Sequence, residues 1–578
     1  MLKAVIKYHF AALAVMSVIE VVLLMVVLKT ARPYAAFSAT TCVMGLLVTV
    51  TWAVFLFLIV RKIRPYTRDH LVVDFTQHRS IFSAVVACLA FLLTWSVLFI
   101  MAITVVPNST RQTQGISEYF EHIRGDQPLL TAFLTQMPKG GDLHHHYVGA
   151  VYGETYWEIL AGNNGWINME SIEVDTPGAI HQAPWKRFSE VQQQKWFDSL
   201  EQVFLQHVSV KDFNPALLPA DQHFFATFGK LSSVAAFGMK QGLMELKKRA
   251  VNEHVQYIET ILWQVDTTVT LPAGSGWDKA LAAASLADSV AVFDTLNRLH
   301  AVLLAAGVAR AARTFCNRVD NMHKTAQIDD SLFTMRYQLY GSRSASPVTL
   351  YRRLLIAFQA AAMDSIIVGV NLVSQEDGVV SMRDYSLHML MFVHLRRLYP
   401  QVKYALHAGE LNVAGVRPEL LRSHIRQAVE VGRAYRIGHG VDLSHEDGWN
   451  STIDTMAARK IPVEINLTSN EFILDIKNEQ HPILLYHSHQ VPVIIATDDA
   501  GVLRTDLTEQ YVLLASRYPS LKYADIKQIV RNSIIYSFMK PAAYKRQQLR
   551  QLDEAINRFE KQILAGCHPR PGGNIINL

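Results

Sequence analysis

The stretch Lys139-Gly140-Gly141-Asp142-Leu143-His144-His145-His146-Tyr147-Val148-Gly149-Ala150 decides how this chain is read. As an extended strand over 141–147 it points alternate side chains to the same side, so His144 and His146 project together about 7 Å apart. Two imidazoles at that separation reach one metal ion. His145, between them, faces the other way and is expected to be dispensable for binding that metal. Three adjacent histidines also suit a solvated turn, and the stretch alone leaves both readings open. The deciding residues lie far downstream.

From residue 116 onward, short apolar strands alternate with helical patterns. Strands are read at 141–147, 255–263, 333–340, 366–373, 403–407, 436–441, 462–467 and 492–497, with helical patterns such as 350–362, 385–398 and 418–432 between them. Eight βα units predict an α/β fold, a (β/α)8 TIM-type barrel. An open doubly wound sheet is the runner-up, but no Gly-x-Gly-x-x-Gly turn follows a strand to support it. The segment 151–217, with Trp157, Trp166, Trp185 and Trp196, exceeds a normal βα connection. It reads as an insertion after the first strand, either a lid over the barrel mouth or a peripheral decoration.

A barrel of this kind keeps its chemistry at the C-terminal ends of its strands. The fifth strand ends Ala405-Leu406-His407-Ala408-Gly409-Glu410. The sixth gives Arg436-Ile437-Gly438-His439-Gly440-Val441-Asp442, and the eighth ends Ile495-Ala496-Thr497-Asp498-Asp499-Ala500-Gly501. Each alone is weak, because a histidine after an apolar strand is commonly structural and adjacent aspartates commonly cap a turn. Recurrence at several strand ends is what carries weight. His144, His146 and His407 supply nitrogen and Asp498 supplies oxygen, a set that suits zinc with a position left for water. Zinc lowers the pKa of such a water to ~7. Glu410 and His439 remain to handle protons.

These motifs resemble the adenosine deaminases of the metal-dependent amidohydrolase superfamily, in particular the branch similar to adenosine-deaminase growth factors. The resemblance covers most of residues 116–540. It is carried by Lys139-Gly-Gly-Asp-Leu-His-His-His146, His407-Ala-Gly-Glu410, Arg436-Ile-Gly-His-Gly440 and Thr497-Asp-Asp-Ala-Gly-Val-Leu-Arg-Thr505. Phe224-Phe-Ala-Thr-Phe228, Asn466-Leu-Thr-Ser-Asn470 and Asn532-Ser533 agree in a minor way. The resemblance implies one zinc per chain on His144, His146, His407 and Asp498. It implies Glu410 as the acid that protonates purine N1, His439 as the group that orients or deprotonates the attacking water, and Asp499 as the N7 contact. The expected reaction is hydrolytic deamination of adenosine or 2′-deoxyadenosine to the inosine product and ammonia.

Phe225, Phe228, Val148 and Ser374 are expected against the substrate. Two of them depart from the family pattern. Val148 stands where many adenosine deaminases place an aspartate that contacts ribose, and Ser374 stands where a glycine usually approaches the purine edge. The alternatives are therefore another aminopurine, such as adenine or a 5′-modified adenosine, or a receptor-like module that binds nucleosides without turning them over. Hydrolysis of an amide or phosphoester would want a second metal, bridged by a modified lysine or a carboxylate, and the fourth strand offers no obvious candidate.

The 578 residues include 50% hydrophobic side chains, and the excess is concentrated near the N-terminus. Residues 10–28 are apolar apart from Glu20, and 35–60 and 81–106 carry no charge. Each reaches the roughly 20 residues of a spanning helix. Three transmembrane α-helices are expected within a membrane region 1–106, with Glu20 in a helix-packing role, followed by a polar linker 107–115 and a barrel domain 116–578. Arg61, Lys62, Arg64, Arg68 and Arg79 outnumber Lys29 and Arg32 of the first loop, which places the second loop and the N-terminus inside. The barrel is then expected on the periplasmic or extracellular side of a multi-pass inner (plasma) membrane protein, with the lipid bilayer as a partner. The net charge of +5 lies partly between apolar segments, so no nucleic-acid partner is implied. The oligomeric state is open, a homodimer included. Cys42 and Cys88 fall in apolar segments, Cys316 and Cys567 either pair in an oxidising compartment or stay free thiols, and no Cys-x-x-Cys is present for zinc or redox chemistry.

Overall fold

The computed structural model describes residues 114–264, 269–272 and 275–566. The chain divides between Arg111 and Gln112, and the features below belong to the second unit, Gln112–Leu578. The expected spans at 10–28, 35–60 and 81–106 lie outside the described residues, as does Cys567. Among the described residues no single helix is long and apolar enough to cross a membrane.

In chain order the strands are β1 (Gly140–His146), β2 (Trp166–Asn168), β3 (Val174–Asp175), β4 (Trp185–Arg187), β5 (Val255–Gln264), β6 (Thr334–Ser342), β7 (Ile367–Val373), β8 (Lys403–Ala408), β9 (Arg436–His439), β10 (Val463–Ile465) and β11 (Val493–Ile495). Eight of them form one sheet in the order β1-β5-β6-β7-β8-β9-β10-β11, all parallel. The two edges meet just past β11, where Asp498 N–H donates to the His144 carbonyl (2.8 Å) and His146 N–H donates to the Asp498 carbonyl (3.0 Å). The result is a nearly closed eight-strand α/β barrel of the TIM type, and its seam runs through three of the expected metal ligands, His144, His146 and Asp498.

The strands are buried on both faces, which is why they read as apolar runs rather than alternating ones. Every residue of β7 is buried. The helices between them present apolar stripes to the sheet. In Pro347–Met363, a proline opens the first turn, where an N–H has no partner to lose, and Leu350, Leu354 and Phe358 recur at four-residue spacing on the buried side.

The structure differs from the sequence-based expectations in three places. β1 stops at His146, and Tyr147–Ala150 is a helical turn, so Val148 stands on that turn and not on the strand. The expected helix 418–432 is broken into a 3-10 turn, Pro418–Leu421, and a helix, His424–Glu430. The break is capped from outside: the Glu446 carboxylate accepts from Ile425 N–H and from Arg426 N–H (2.8 Å), satisfying donors that a helix start leaves free. The third difference concerns the insertion. Residues 151–217 contain the small antiparallel sheet β3-β2-β4, whose strands are too short to show alternation. Trp157 is buried there against Phe188, Phe197 and Phe204. This segment is a decoration. The side chains that reach the mouth come from the next helix, Ala220–Phe237.

Candidate active site

Three strand ends turn their last residues inward by an uncommon backbone twist. His439 (φ +66°), Asp498 (φ +63°) and Ser374 (φ +84°) all occupy the left-handed region, which side chains other than glycine adopt at a cost. Each then faces one cavity of about 390 Å³ at the C-terminal end of the barrel. The site is therefore held by backbone that the surrounding barrel constrains.

His144, His146, His407 and Asp498 bring one ligand atom each to within 4.8 Å of one another. His146 Nε2 lies 3.1 Å from His407 Nε2, and Asp498 Oδ1 lies 3.5 Å from His144 Nε2 and 3.4 Å from His146 Nε2. Outer groups fix which nitrogen faces inward. Glu464 Oε2 accepts from His144 Nδ1 (2.9 Å), and Asn371 Oδ1 accepts from His407 Nδ1 (3.0 Å). Those contacts leave the two Nε2 lone pairs aimed at the cluster, and His144 Nε2 is buried without a hydrogen-bond partner. Ser469 Oγ donates to the second carboxylate oxygen of Asp498 (2.6 Å), so that side chain is also fixed.

Behind them, Glu464 pairs with Arg436, and Arg436 Nη2 donates to Glu259 (2.6 Å), all fully buried. Gly438 is needed for this packing, since a Cβ there would sit 2.7 Å from His144 Cε1. Converging, buried imidazole nitrogens and a carboxylate oxygen fit a divalent cation. Without one, burial opposes charge on His407 and holds it well below the usual histidine range, aided by His144 and His439. Burial acts the same way on His144, but Asp498 and Glu464 outweigh it and raise that ring to about 10.

Glu410 and His439 face the same cluster, and both pair with Asp498 in a second potential ligand group. Burial first, then the nearby Asp498 and Glu376 carboxylates, push Glu410 well above the usual carboxyl range, which favours its protonated form. Its backbone is clamped. Glu376 accepts from Gly409 N–H (3.1 Å) and Glu410 N–H (3.0 Å) while pairing with His424 Nδ1 (2.6 Å) and Arg343. Arg343 in turn donates to the His407 carbonyl (2.6 Å).

His439 is lowered to about 3 by burial and then by His144, so its ring is neutral. Asn470 Nδ2 lies 3.0 Å from His439 Nδ1, and Asn470 Oδ1 lies 3.1 Å from His481 Nε2. With the Asn470 amide donating to Nδ1, the ring proton of His439 sits on Nε2, which faces the cavity without a protein partner.

Asp499 is buried, with Oδ1 unpartnered, and burial followed by Asp498 pushes its carboxyl well up. It fits only because Gly149 has no side chain: a Cβ there would lie 1.8 Å from Asp499 Oδ1. Val148, Phe225, Phe228 and Ser374 all line the cavity. His145 points out of it, with Nδ1 3.0 Å from Thr260 Oγ1.

The structure thus gathers every site residue read from the sequence. The reading missed Glu464, Asn371, Glu376 and Arg343. A carboxylate inside the apolar run Val463-Glu464-Ile465 is the signal that could have flagged one of them, because a charge on a fully buried strand needs a partner.

Residues 314–555 match the family model described as adenosine deaminase. That segment contains His407, Glu410, His439, Asp498 and Asp499, while His144 and His146 are brought to it by β1. An adenosine deaminase from Aedes albopictus is 28% identical over 210 residues, 35% of this chain and 37% of the relative. An N6-methyl-AMP deaminase from Danio rerio is 36% identical over 132 residues, 22% of this chain and 36% of the relative. These matches span little more than a third of the relatives' own lengths. A solved N6-methyl-AMP deaminase structure from Arabidopsis thaliana aligns with 18% identity and a TM-score of 0.45, covering 74% of this chain and 99% of that one. Over residues 314–555, this chain is similar to the adenosine deaminase family.

Proposed function

We propose that this chain hydrolytically deaminates an uncharged 6-aminopurine nucleoside, adenosine before 2′-deoxyadenosine, releasing ammonia. The observation that carries the reading is the convergence of the four-donor cluster with Glu410, His439 and Asp499 on one cavity. His144, His146, His407 and Asp498 would hold one zinc ion, which when bound supplies Lewis-acid activation of water at neutral pH. Protonated Glu410 donates to purine N1, drawing electron density from C6. His439, with its proton on Nε2, orients the attacking water by donating to it; deprotonating that water would require the Asn470 amide to be reversed. Asp499, its carboxyl pushed well up by burial and by Asp498, donates to N7. Phe225 and Phe228 line the cavity and give the base an apolar wall.

Relatives named for adenosine and for N6-methyl-AMP leave the substrate to be argued from the walls. Among the described lining residues none is lysine or arginine, and the outer walls are apolar or hydroxyl-bearing apart from the neutral amide of Gln375. A 5′-phosphate dianion would ask for charged donors, so an uncharged nucleoside is the better match. Ammonia release should be measured with the zinc-loaded chain on adenosine, 2′-deoxyadenosine, adenine, 5′-methylthioadenosine and N6-methyl-AMP. Turnover led by adenosine is expected, and turnover of the monophosphate alone would overturn the substrate assignment. Absence of any turnover would favour a nucleoside-binding module.

The same proposal extends to location. The hydropathy of 1–106 and its arginine bias support a membrane-anchored chain with its barrel outside the cytoplasm. Protease added to intact, sealed spheroplasts should digest the barrel, and full protection would reverse the assignment.

A further inference from the structure

Three serines stand together on the wall of the cavity away from the ionisable cluster. Ser342 Oγ, at the end of β6, lies 2.6 Å from Ser374 Oγ, just past β7, and 2.7 Å from Ser344 Oγ. All three line the cavity. Three hydroxyls have three protons, and the two contacts between them use two, so one proton and several lone pairs remain for a ligand. Ser374 holds its place at φ +84°, where glycine would sit without strain. A hydroxyl retained in that conformation is a built feature of the wall.

The order of strands around the barrel says what this wall would meet. Glu410 follows β8, the serines follow β7 and β6, the apolar Ile261 and Leu262 belong to β5, and Val148 and Asp499 follow β1 and β11. A purine with N1 on Glu410 and N7 on Asp499 must run in the same circular order. Its N3 edge then falls at β7 and β6, and its C8 side falls near β1. In the anti form of a purine ribonucleoside the 2′-hydroxyl lies on the N3 side of the base. The geometry points to Ser342, Ser344 and Ser374 as a specificity site for the 2′-hydroxyl of a ribonucleoside, taking over sugar recognition that Val148 cannot provide through its side chain. This rests on the deaminase reading and on the N1 and N7 contacts proposed with it.

Ser374→Gly removes the hydroxyl and relieves the backbone, so the variant is expected to fold with a melting temperature no lower than that of the parent. Its KM for adenosine should rise about fivefold, the scale of one neutral hydrogen bond, with kcat retained. The preference for adenosine over 2′-deoxyadenosine in kcat/KM should fall by the same factor. Ser342→Ala, which strips the central hydroxyl, should do the same. A parent that turns over both nucleosides, with an unchanged preference in both variants, would overturn the serine assignment and leave the deaminase reading standing. A zinc-loaded parent that deaminates no purine would remove both.

Discussion

The two arcs of the barrel rim differ sharply in what they offer a substrate. From β8 round through β9 and β11 to β1, the strand ends carry His407, Glu410, His439, Asp498, Asp499, His144 and His146. From β5 through β7 the lining is Ile261, Leu262, Tyr340, Ser342, Val373 and Ser374, with no ionisable carboxylate, lysine, arginine or histidine among these residues. One arc is organised around a charge and its protons, and the other around shape and neutral hydrogen bonds. On the proposed function, deamination chemistry and substrate choice are separable on this scaffold, and substitutions on the two arcs should fail in different ways.

The largest separation is expected from Glu410→Gln. An amide keeps the size and cannot supply the proton, so turnover should drop by ~10²–10⁴ while bound metal stays at the parent level. Metal loss in that variant, seen by elemental analysis, would mean that Glu410 belongs to the ion and not to the substrate.

Glu376 comes next because it clamps the turn carrying Glu410. Burial would raise its carboxyl, but Arg343 and His424 outweigh that and lower it from 4.5 to about 2. Its contribution to stability is therefore complete above about pH 4.5 and fades as pH falls toward 2. The shift corresponds to about 3 kcal/mol. In thermal melts, the gap between the parent and Glu376→Gln should be widest near pH 7 and narrow below pH 4.5. A gap that grows on acidification would show that the ion pair is not what holds the turn.

Glu464→Gln acts one step further out. It should weaken metal affinity by roughly 10–100-fold, the usual scale for a group that orients a ligating histidine. Competition with a chromogenic chelator reads this directly. Unchanged affinity would mean that the contact to His144 Nδ1 is incidental. The smallest effect is expected from His145→Ala. That ring points to Thr260, whose hydroxyl has the His145 carbonyl as another partner (3.1 Å), so metal content should match the parent. Zinc loss there would mean the strand register is misread.

The same division explains what the sequence reveals. His144, His146, His407 and Asp498 are legible because candidate metal donors recurring at several strand ends are a rare pattern, and period-two alternation tells His145 from its neighbours. Barrel strands are legible as apolar runs bounded by helical periodicity. The second rank of groups is not. Asn371, Glu376 and Glu464 each stand alone in sequence, 36, 34 and 320 positions from the groups they hold. Only the closed sheet brings them into contact. β2 to β4 escape notice because two or three residues cannot show a period, and the helix carrying Phe225 and Phe228 is marked only by the resemblance of Phe224–Phe228, since its periodicity does not place it over the mouth. The serine wall falls between these cases: Ser374 stands out as a departure from the family pattern, but its link to Ser342 and Ser344 needs the β6–β7 register.

The central claim is that the four-donor cluster holds one metal ion and that this ion, with Glu410 and His439, makes the ionisable arc a deaminating site. Titrating the metal-stripped chain with zinc while following ammonia release from adenosine tests it most directly. Activity should rise from baseline in proportion to added zinc and level off at one ion per chain. Full activity in the stripped protein, or a plateau reached only at two ions per chain, would contradict it.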